Sequence, residues 1–575
     1  MISKPDSTDS RRPGAIQRLW FVGSGLDSNV LLYLVLLLLV WGLTVPLCGL
    51  WQDDTLLLRL ARSSEDHGVW GWFNGFGFPL RRLYTLPFHL ALATPQPIWT
   101  LHLIFGVAWL GQALAAGWIA GLLLPGQWLT RFLAVCLTLT ATSDYLTDNL
   151  TALGYNIAAL ALLLAVGGAL RYLECRRVRW VVLSCAALAF SIWTLDIAIP
   201  SLPFAPLLMV WMVWRGRSKA WRPILVVMLA WGLSLAPAVP IEWRFLHDPA
   251  GYVAGAMRHV SLAERIQGTA WQWLENFRPW RWAFARRVWY PRPAAAIPPW
   301  VMALGATVSA AWFALRARRL RDTEGTSDTV RALSLASLFA SMALATNAAY
   351  AFLTMSELHY RTHILARTWA SLAIAVAVGW AIRRWPRLRP AFLLVPAAFI
   401  GLGVWGGLER QDLWVSTWRM HQRELSSIVA GAPALVPGTG IILRSPPLPG
   451  RYLATEADYL AQCWMILLYD DPGIHALRAT AERGTGCRAT ADALECWHEH
   501  QAVCVAAGTC PADRFPYERL VLMDFDDREG TYHVVPTLDG DQFLAGTGVN
   551  ATRYRPEERI LRQPFSPRQR ALLLE

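Results

Sequence analysis

Charge is scarce in this sequence. Of 575 residues only 16% are Asp, Glu, Lys or Arg, while 54% are apolar and the mean hydropathy is +0.31. A soluble protein of this length needs more charge to stay dispersed. Recognisable catalytic signatures are missing too. No P-loop, GxSxG or HExxH pattern occurs, so none of those three chemistries is announced by a motif. No CxxC pair occurs, which removes the commonest spacing of a zinc module. No internal repeat occurs, so the inverted halves of many transporters are not supported. Ionisable residues inside the apolar runs are few, whereas proton-coupled transporters carry charged relays at membrane depth.

Long apolar runs are what the sequence has in abundance. They lie at about 29–50, 98–124, 128–143, 150–170, 178–197, 200–214, 223–240, 298–315, 332–353, 363–382 and 390–408. A helix of about 20 apolar residues spans a bilayer core of roughly 30 Å. The expected class is therefore an α-helical polytopic membrane protein of about eleven transmembrane helices. The runs at 128–143 and 200–214 are short for a span. The 31 tryptophans suit interfacial belts. The first run is too long for a signal segment and lacks a small-residue cleavage site, so it reads as a retained anchor.

Basic loops give the expected orientation. "RYLECRRVR" (171–179), "RGRSKAWR" (215–222), "RARRLRDTEGTSDTVR" (316–331) and "RRWPRLR" (383–389) fall at alternate loops, and the N-terminal tail is basic as well. The positive-inside rule places all of them in the cytoplasm. This distribution in short loops accounts for much of the net charge of +12 without nucleic acid as a partner. The chain then divides into a cytoplasmic tail (1–28), a transmembrane domain (29–408) and an extracytoplasmic C-terminal domain (409–575). In the last, Gly, Pro, Asp and Glu increase and no further span occurs. "GAPALVPGTGIIL" reads as a turn followed by a strand, and "YERLVLMDFDD" and "TYHVVPTL" as two more strands, so a small α/β domain is expected there.

One outer loop, 241–297, is rich in arginine. Its segment "AGAMRHVSLAERIQGTAWQWLENF" reads as an amphipathic helix lying on the membrane. Attraction to anionic headgroups is one reading; a basic wall with Arg258 beside a phosphate-bearing lipid is the other. In the C-terminal domain Cys487, Cys496, Cys504 and Cys510 cluster. An oxidising outer compartment favours two disulfides among them, with zinc, aided by His498 and His500, as the alternative. Cys463 reads as buried in "YLAQCWMILLY".

The acidic residues gather at the outer ends of spans. Asp53 and Asp54 follow the first, Asp144 and Asp148 stand in "SDYLTDN" between the third and fourth, and Asp196 follows the fifth. A carboxylate can take the proton of a hydroxyl, and a pair can hold Mg or Mn through oxygen ligands. "MSELHYRTHILART" supplies His359, Tyr360, Arg361 and His363 just outside the tenth span. A planar Arg fork suits a leaving phosphate, while a Tyr-Arg pair at a span mouth also serves as an interfacial anchor.

This layout resembles the GT-C superfamily, the integral-membrane glycosyltransferases that use polyprenyl-phosphate-linked sugars. Members have a first outer loop opening with an acidic pair, matched here by "QDDTLLLRLA" with Asp54 in place of the usual Glu. Acids in the second outer loop are matched by "SDYLTDN", and a late "ERY"-like loop is matched loosely by "LHYRTHILA". The resemblance implies Asp53 as catalytic base, supported by Asp54, and Arg361 as a donor-phosphate ligand. It implies a polyprenyl-phosphate sugar donor in the cell membrane and an envelope glycan, lipid or protein as acceptor. A lipid or polysaccharide flippase, and a non-catalytic scaffold presenting the outer domain, are the alternatives.

Overall fold

The computed structural model describes residues 29–50, 53–63, 81–141, 150–214, 221–247, 261–283, 296–320, 329–353, 363–445, 453–455, 458–480, 486–497, 512–538 and 553–573. These are mostly helical, with a sheet region at the C-terminal end. The helices are α1 (Val30–Leu37, running on through a π-helical turn at Leu38–Gly42), α2 (Asp53–Ser63), α3 (Leu86–Leu92), α4 (Pro97–Leu123), α5 (Trp128–Thr140) and α6 (Leu153–Cys175). Then come α7 (Val178–Thr194), α8 (Ala205–Trp214), α9 (Arg222–Leu235), α10 (Val239–His247), α11 (Leu262–Glu275) and α12 (Pro279–Ala283). The last are α13 (Pro299–Arg319), α14 (Thr329–Leu353), α15 (His363–Arg384), α16 (Arg389–Gly431), α17 (Asp458–Tyr469) and α18 (Pro567–Leu573).

Among the described residues, seven helical stretches are long and apolar enough to cross a membrane. Four shorter apolar helices, Trp128–Thr140, Val178–Thr194, Ile199–Trp214 and Arg222–Leu235, occupy the remaining runs seen in the sequence. The shortest, α5, explains its own length. Every residue from Phe132 to Thr140 is buried, because α5 packs against α1, α4, α15 and α16. It needs no lipid-facing stripe, and its 13 residues rise only about 20 Å.

The longest helix, α16, has 43 residues and a length of about 65 Å, twice what a bilayer core requires. The change of composition at Glu409 falls inside this helix rather than between elements; the chain breaks only after Gly431. Small residues let α16 approach its neighbours closely. A Cβ on Gly403 would stand 2.2 Å from the Thr140 carbonyl oxygen, and one on Gly407 2.5 Å from Val40 Cα.

The two ends of the bundle differ chemically. At one end the Arg389 guanidinium donates to the carbonyls of Ala317 (2.9 Å) and Leu320 (2.7 Å), satisfying the C-terminal turn of α13. Near it, Trp380 Nε1 donates to Thr329 Oγ1, and Trp211 Nε1 to Ser334 Oγ. These contacts bring together the ends that flank the basic loops 215–222, 316–331 and 383–389. At the opposite end the Ile297 amide donates to Asp412 (2.6 Å), and His102 Nε2 lies 3.2 Å from the Cys48 carbonyl.

The C-terminal region packs on that second end. Strands β1 (Ala434–Leu435), β2 (Gly440–Ser445), β3 (His475–Thr480), β4 (Gly486–Ala489), β5 (Ala493–Trp497), β6 (Asp513–Pro516), β7 (Leu520–Asp526), β8 (Thr531–Val534) and β9 (Ile560–Leu561) form three sheets. The largest has the order β3-β2-β7-β8, with β2 parallel to both β3 and β7, and β8 antiparallel to β7. Two parallel strands need a crossover, and α17 supplies it between β2 and β3. Parallel strands are covered on both faces, which is why β2 and β7 read as apolar runs. Helix α17 also packs on α2, and β8 on α16.

Candidate functional site

Helix α2 is the first element beyond the first span. Its apolar positions Leu57, Leu58 and Ala61 are buried, and Asp54 lies on the same face at helical spacing. Asp54 and Thr55 are 0% exposed. Asp53 is the first residue of the helix, and its side chain lies outside the described residues. Carboxylates in a first helical turn are favoured by the helix dipole, by about 0.3–1 kcal/mol each. That effect does not require burial. Asp54 is buried because α2 is held between the bundle and the C-terminal region, packing on α3 and α17. Its far end is tied down as well: Arg62 pairs with Asp470 at 3.2 Å, and Asp470 also pairs with Arg568 of α18 at 2.5 Å.

The late loop is described in part. His359, Tyr360 and Arg361 lie outside the described residues, as do Arg258, Asp144 and Asp148. His363 opens α15 and is buried, and Arg367, one turn on, is buried beside it. Nothing in the pattern of "MSELHYRTHILART" sets Arg367 apart from its neighbours.

Helix α16 carries the polar residues that were missed. Arg410, Gln411, Asp412, Ser416, Thr417, His421 and Glu424 are all buried. Gln411 ties α16 to the first span, accepting from the Thr44 amide (3.0 Å) and donating to the Leu39 carbonyl (2.8 Å). Glu424 ties it to the C-terminal region. The Glu424 carboxylate accepts from the amides of Ala454 (2.6 Å) and Thr455 (3.2 Å) and from the Thr455 hydroxyl. Tyr532 Oη stands 3.3 Å from that hydroxyl, and Arg478 donates through Nε and Nη2 to Ser445 Oγ. Glu424 is 35 residues beyond Arg389, about 52 Å along the helix, so it clears a membrane core of roughly 30 Å. Burial pushes its carboxyl up to about 7, against the opposing pull of its hydrogen bonds and of Arg478. The signal was present in "LERQDLWVSTWRMHQRE", where polar letters recur on a helical period after hydropathy has fallen.

Among the described residues one group could converge on a metal ion: Asp526, Glu529 and His533, on the β7–β8 hairpin. Asp526 already accepts from the amides of Arg528 and Glu529, and Glu529 and His533 are exposed. A histidine also departs from the all-oxygen set that Mg prefers. Of the four clustered cysteines, Cys487 and Cys496 form a disulfide across β4 and β5. Cys504 and Cys510 lie outside the described residues. Cys463 is outside any disulfide and buried in α17, as its apolar surroundings implied.

The geometry joins three things at one end of the bundle: a buried carboxylate on α2, the polar flank of α16, and the C-terminal sheet. No family model, no curated protein and no solved structure matches this chain.

Proposed function

We propose that the protein is a membrane glycosyltransferase. It would move a sugar from a polyprenyl-phosphate carrier to an acceptor hydroxyl on the extracytoplasmic side. The observation that carries this reading is Asp54, fully buried on a helix pinned between the bundle and the C-terminal region, at the end away from the basic loops. A carboxylate so placed is withdrawn from bulk water yet within the span of a helix end where a lipid-linked substrate meets the membrane surface. One member of the Asp53–Asp54 pair takes the acceptor hydroxyl proton. The hydroxyl oxygen attacks the anomeric carbon, and the bond to the lipid phosphate breaks. Arg361, two residues before buried His363 and six before buried Arg367 in the sequence, meets the charge that develops on the leaving phosphate. A divalent cation held by Asp144 and Asp148 belongs to the same proposal.

The test is transfer in proteoliposomes from a panel of polyprenyl-phosphate hexoses and pentoses. Asp54→Asn and Asp53→Asn are made separately. Loss of the base should lower the transfer rate by at least ~100-fold in one of them. Full activity of both variants, or no transfer by the wild type from any donor, removes the proposal. If Arg361 holds phosphate through its planar fork, Arg361→Lys should raise the donor concentration needed for half-maximal rate. An unchanged donor dependence would leave Arg361 as an interfacial anchor.

A further inference from the structure

Helix α13 has one side for the bundle and one for its surroundings. At about 100° per residue, Leu304, Val308 and Leu315 fall in a stripe about 40° wide. All three are exposed, 56%, 52% and 57% respectively. Met302, Ser309, Phe313 and Ala317 are buried, and each lies at least about 120° from the middle of that stripe. The helix is long and apolar enough to cross a membrane, and its 21 residues rise about 31 Å. The exposed stripe is therefore the side that meets lipid.

The stripe ends in charge. Arg318 and Arg319, in the last turn of α13, flank it, about 60° to one side of its middle and about 40° to the other. Both are exposed. The bonds from Arg389 to the carbonyls of Ala317, Arg318 and Leu320 bring a second stretch of chain to this corner. Arg387 stands two residues before Arg389, at most about 7 Å along the chain, and is exposed too. Among the described residues, Arg318, Arg319 and Arg387 form no ion pair. The helix dipole favours a cation at the end of α13. It gives no reason to gather a third one from another loop, since like charges repel. Beside Arg387, Trp385 is 44% exposed and braced by Trp380 and Phe392, with ring centroids 5.3 and 5.8 Å apart. Such a ring sits at headgroup level. The anion that suits this corner carries its charge at that level and has an apolar body.

We infer that this corner binds the phosphate of an acidic phospholipid from the adjoining leaflet. Arg318 and Arg319 straddle the headgroup, Arg387 adds a third fork, and an acyl chain lies along Leu315, Val308 and Leu304. Planar guanidinium forks suit phosphate oxygens. The lipid is net negative, because the choline of a zwitterionic one would bring a further cation to the corner. The site lies at the end of the bundle opposite Asp54 and stands whether or not Asp54 acts as a base.

The full-length protein, freed of lipid in dodecyl maltoside, provides the test, since binding there does not depend on orientation in a membrane. Dioleoyl phosphatidylglycerol is titrated in, and the Kd of the first bound lipid is read by native mass spectrometry. Dioleoyl phosphatidylcholine should bind at least about ten-fold more weakly. Arg318→Gln, Arg319→Gln and Arg387→Gln together should raise the phosphatidylglycerol Kd at least about ten-fold. Arg177→Gln, Arg179→Gln and Arg222→Gln remove the same charge from other exposed positions at the basic end, and should raise it less than about two-fold. Equal Kd values for the two lipids overturn the inference. Equal losses from the two triple variants also overturn it, because they would mean diffuse attraction to a basic surface. Glycerophosphoglycerol, the same headgroup without chains, should not displace the lipid at about ten times its concentration. Displacement would assign the corner to a soluble phosphate and overturn the lipid site.

Discussion

Glu424 shows how a single buried carboxylate can set the pH response of an assembly. It is fully enclosed, accepts three hydrogen bonds from residues 454–455, and faces Arg478 of β3 and Tyr532 of β8. Those contacts favour the ionised form, yet desolvation outweighs them and holds the folded-state value near 7, above the ordinary 4.5. The folded chain therefore keeps a proton that the unfolded chain gives up. Between these two values the unfolded state binds fewer protons, so stability falls as pH rises. The stabilising contribution is full below about pH 4.5 and is lost as pH passes through about 7, an effect on the order of 3 kcal/mol. Glu424→Gln keeps the size and removes the titration. Melting temperatures of the purified protein at pH 5 and pH 8 should differ less in the variant than in the wild type. An unchanged difference would assign the pH response to other groups.

At the scale of elements, close approach decides what α16 can be. Gly403 meets the Thr140 carbonyl with no room for a methyl group, while Gly232 of α9 has nothing within 4 Å of its missing Cβ. Gly403→Ala must push α5 and α16 apart, and overpacking of this kind costs about 1–3 kcal/mol. Gly232→Ala should be neutral or stabilise by up to about 1 kcal/mol through helix propensity. Thermal unfolding of the two variants in one detergent gives the comparison, and a similar melting temperature for both would mean that α16 is free to shift. The elements also differ in how visible they were beforehand. The apolar helices were legible because each spans many residues of one character. Strands β2, β7 and β8 were legible as short apolar runs. Strands β4 and β6, "GCRA" and "DRFP", carry no alternation and were not. The far half of α16 was missed because its polar residues are buried against partners distant in the chain, such as Thr44 and Thr455. Asp54 was visible as a charge at the end of a span, but its burial depends on α17, some 400 residues later. The segment at 262–283 has the amphipathicity expected of a surface helix, but Trp273 bonds α14 and Trp282 packs on α16, contacts that its own letters do not show.

The whole molecule has a chemical polarity that its contacts make plain. Arg389 and Arg331 stand at one end with the C-terminal turn of α13. The C-terminal sheet, α2 and Asp412 stand at the other. An electric potential acts on such an arrangement through the loops, because Lys and Arg near span ends resist translocation. We propose that the two ends lie on opposite sides of the membrane, with the basic end in the cytoplasm. Single cysteines placed at Arg177 and Arg318 should react with a membrane-impermeant maleimide only after the cells are opened. Cysteines at Glu518 and Glu558, both well exposed on the C-terminal region, should react in intact cells. Both pairs are needed. If the two C-terminal positions also require opening, the orientation is reversed and Asp54 faces the cytoplasm. An extracytoplasmic acceptor could not then reach it, whatever its chemistry.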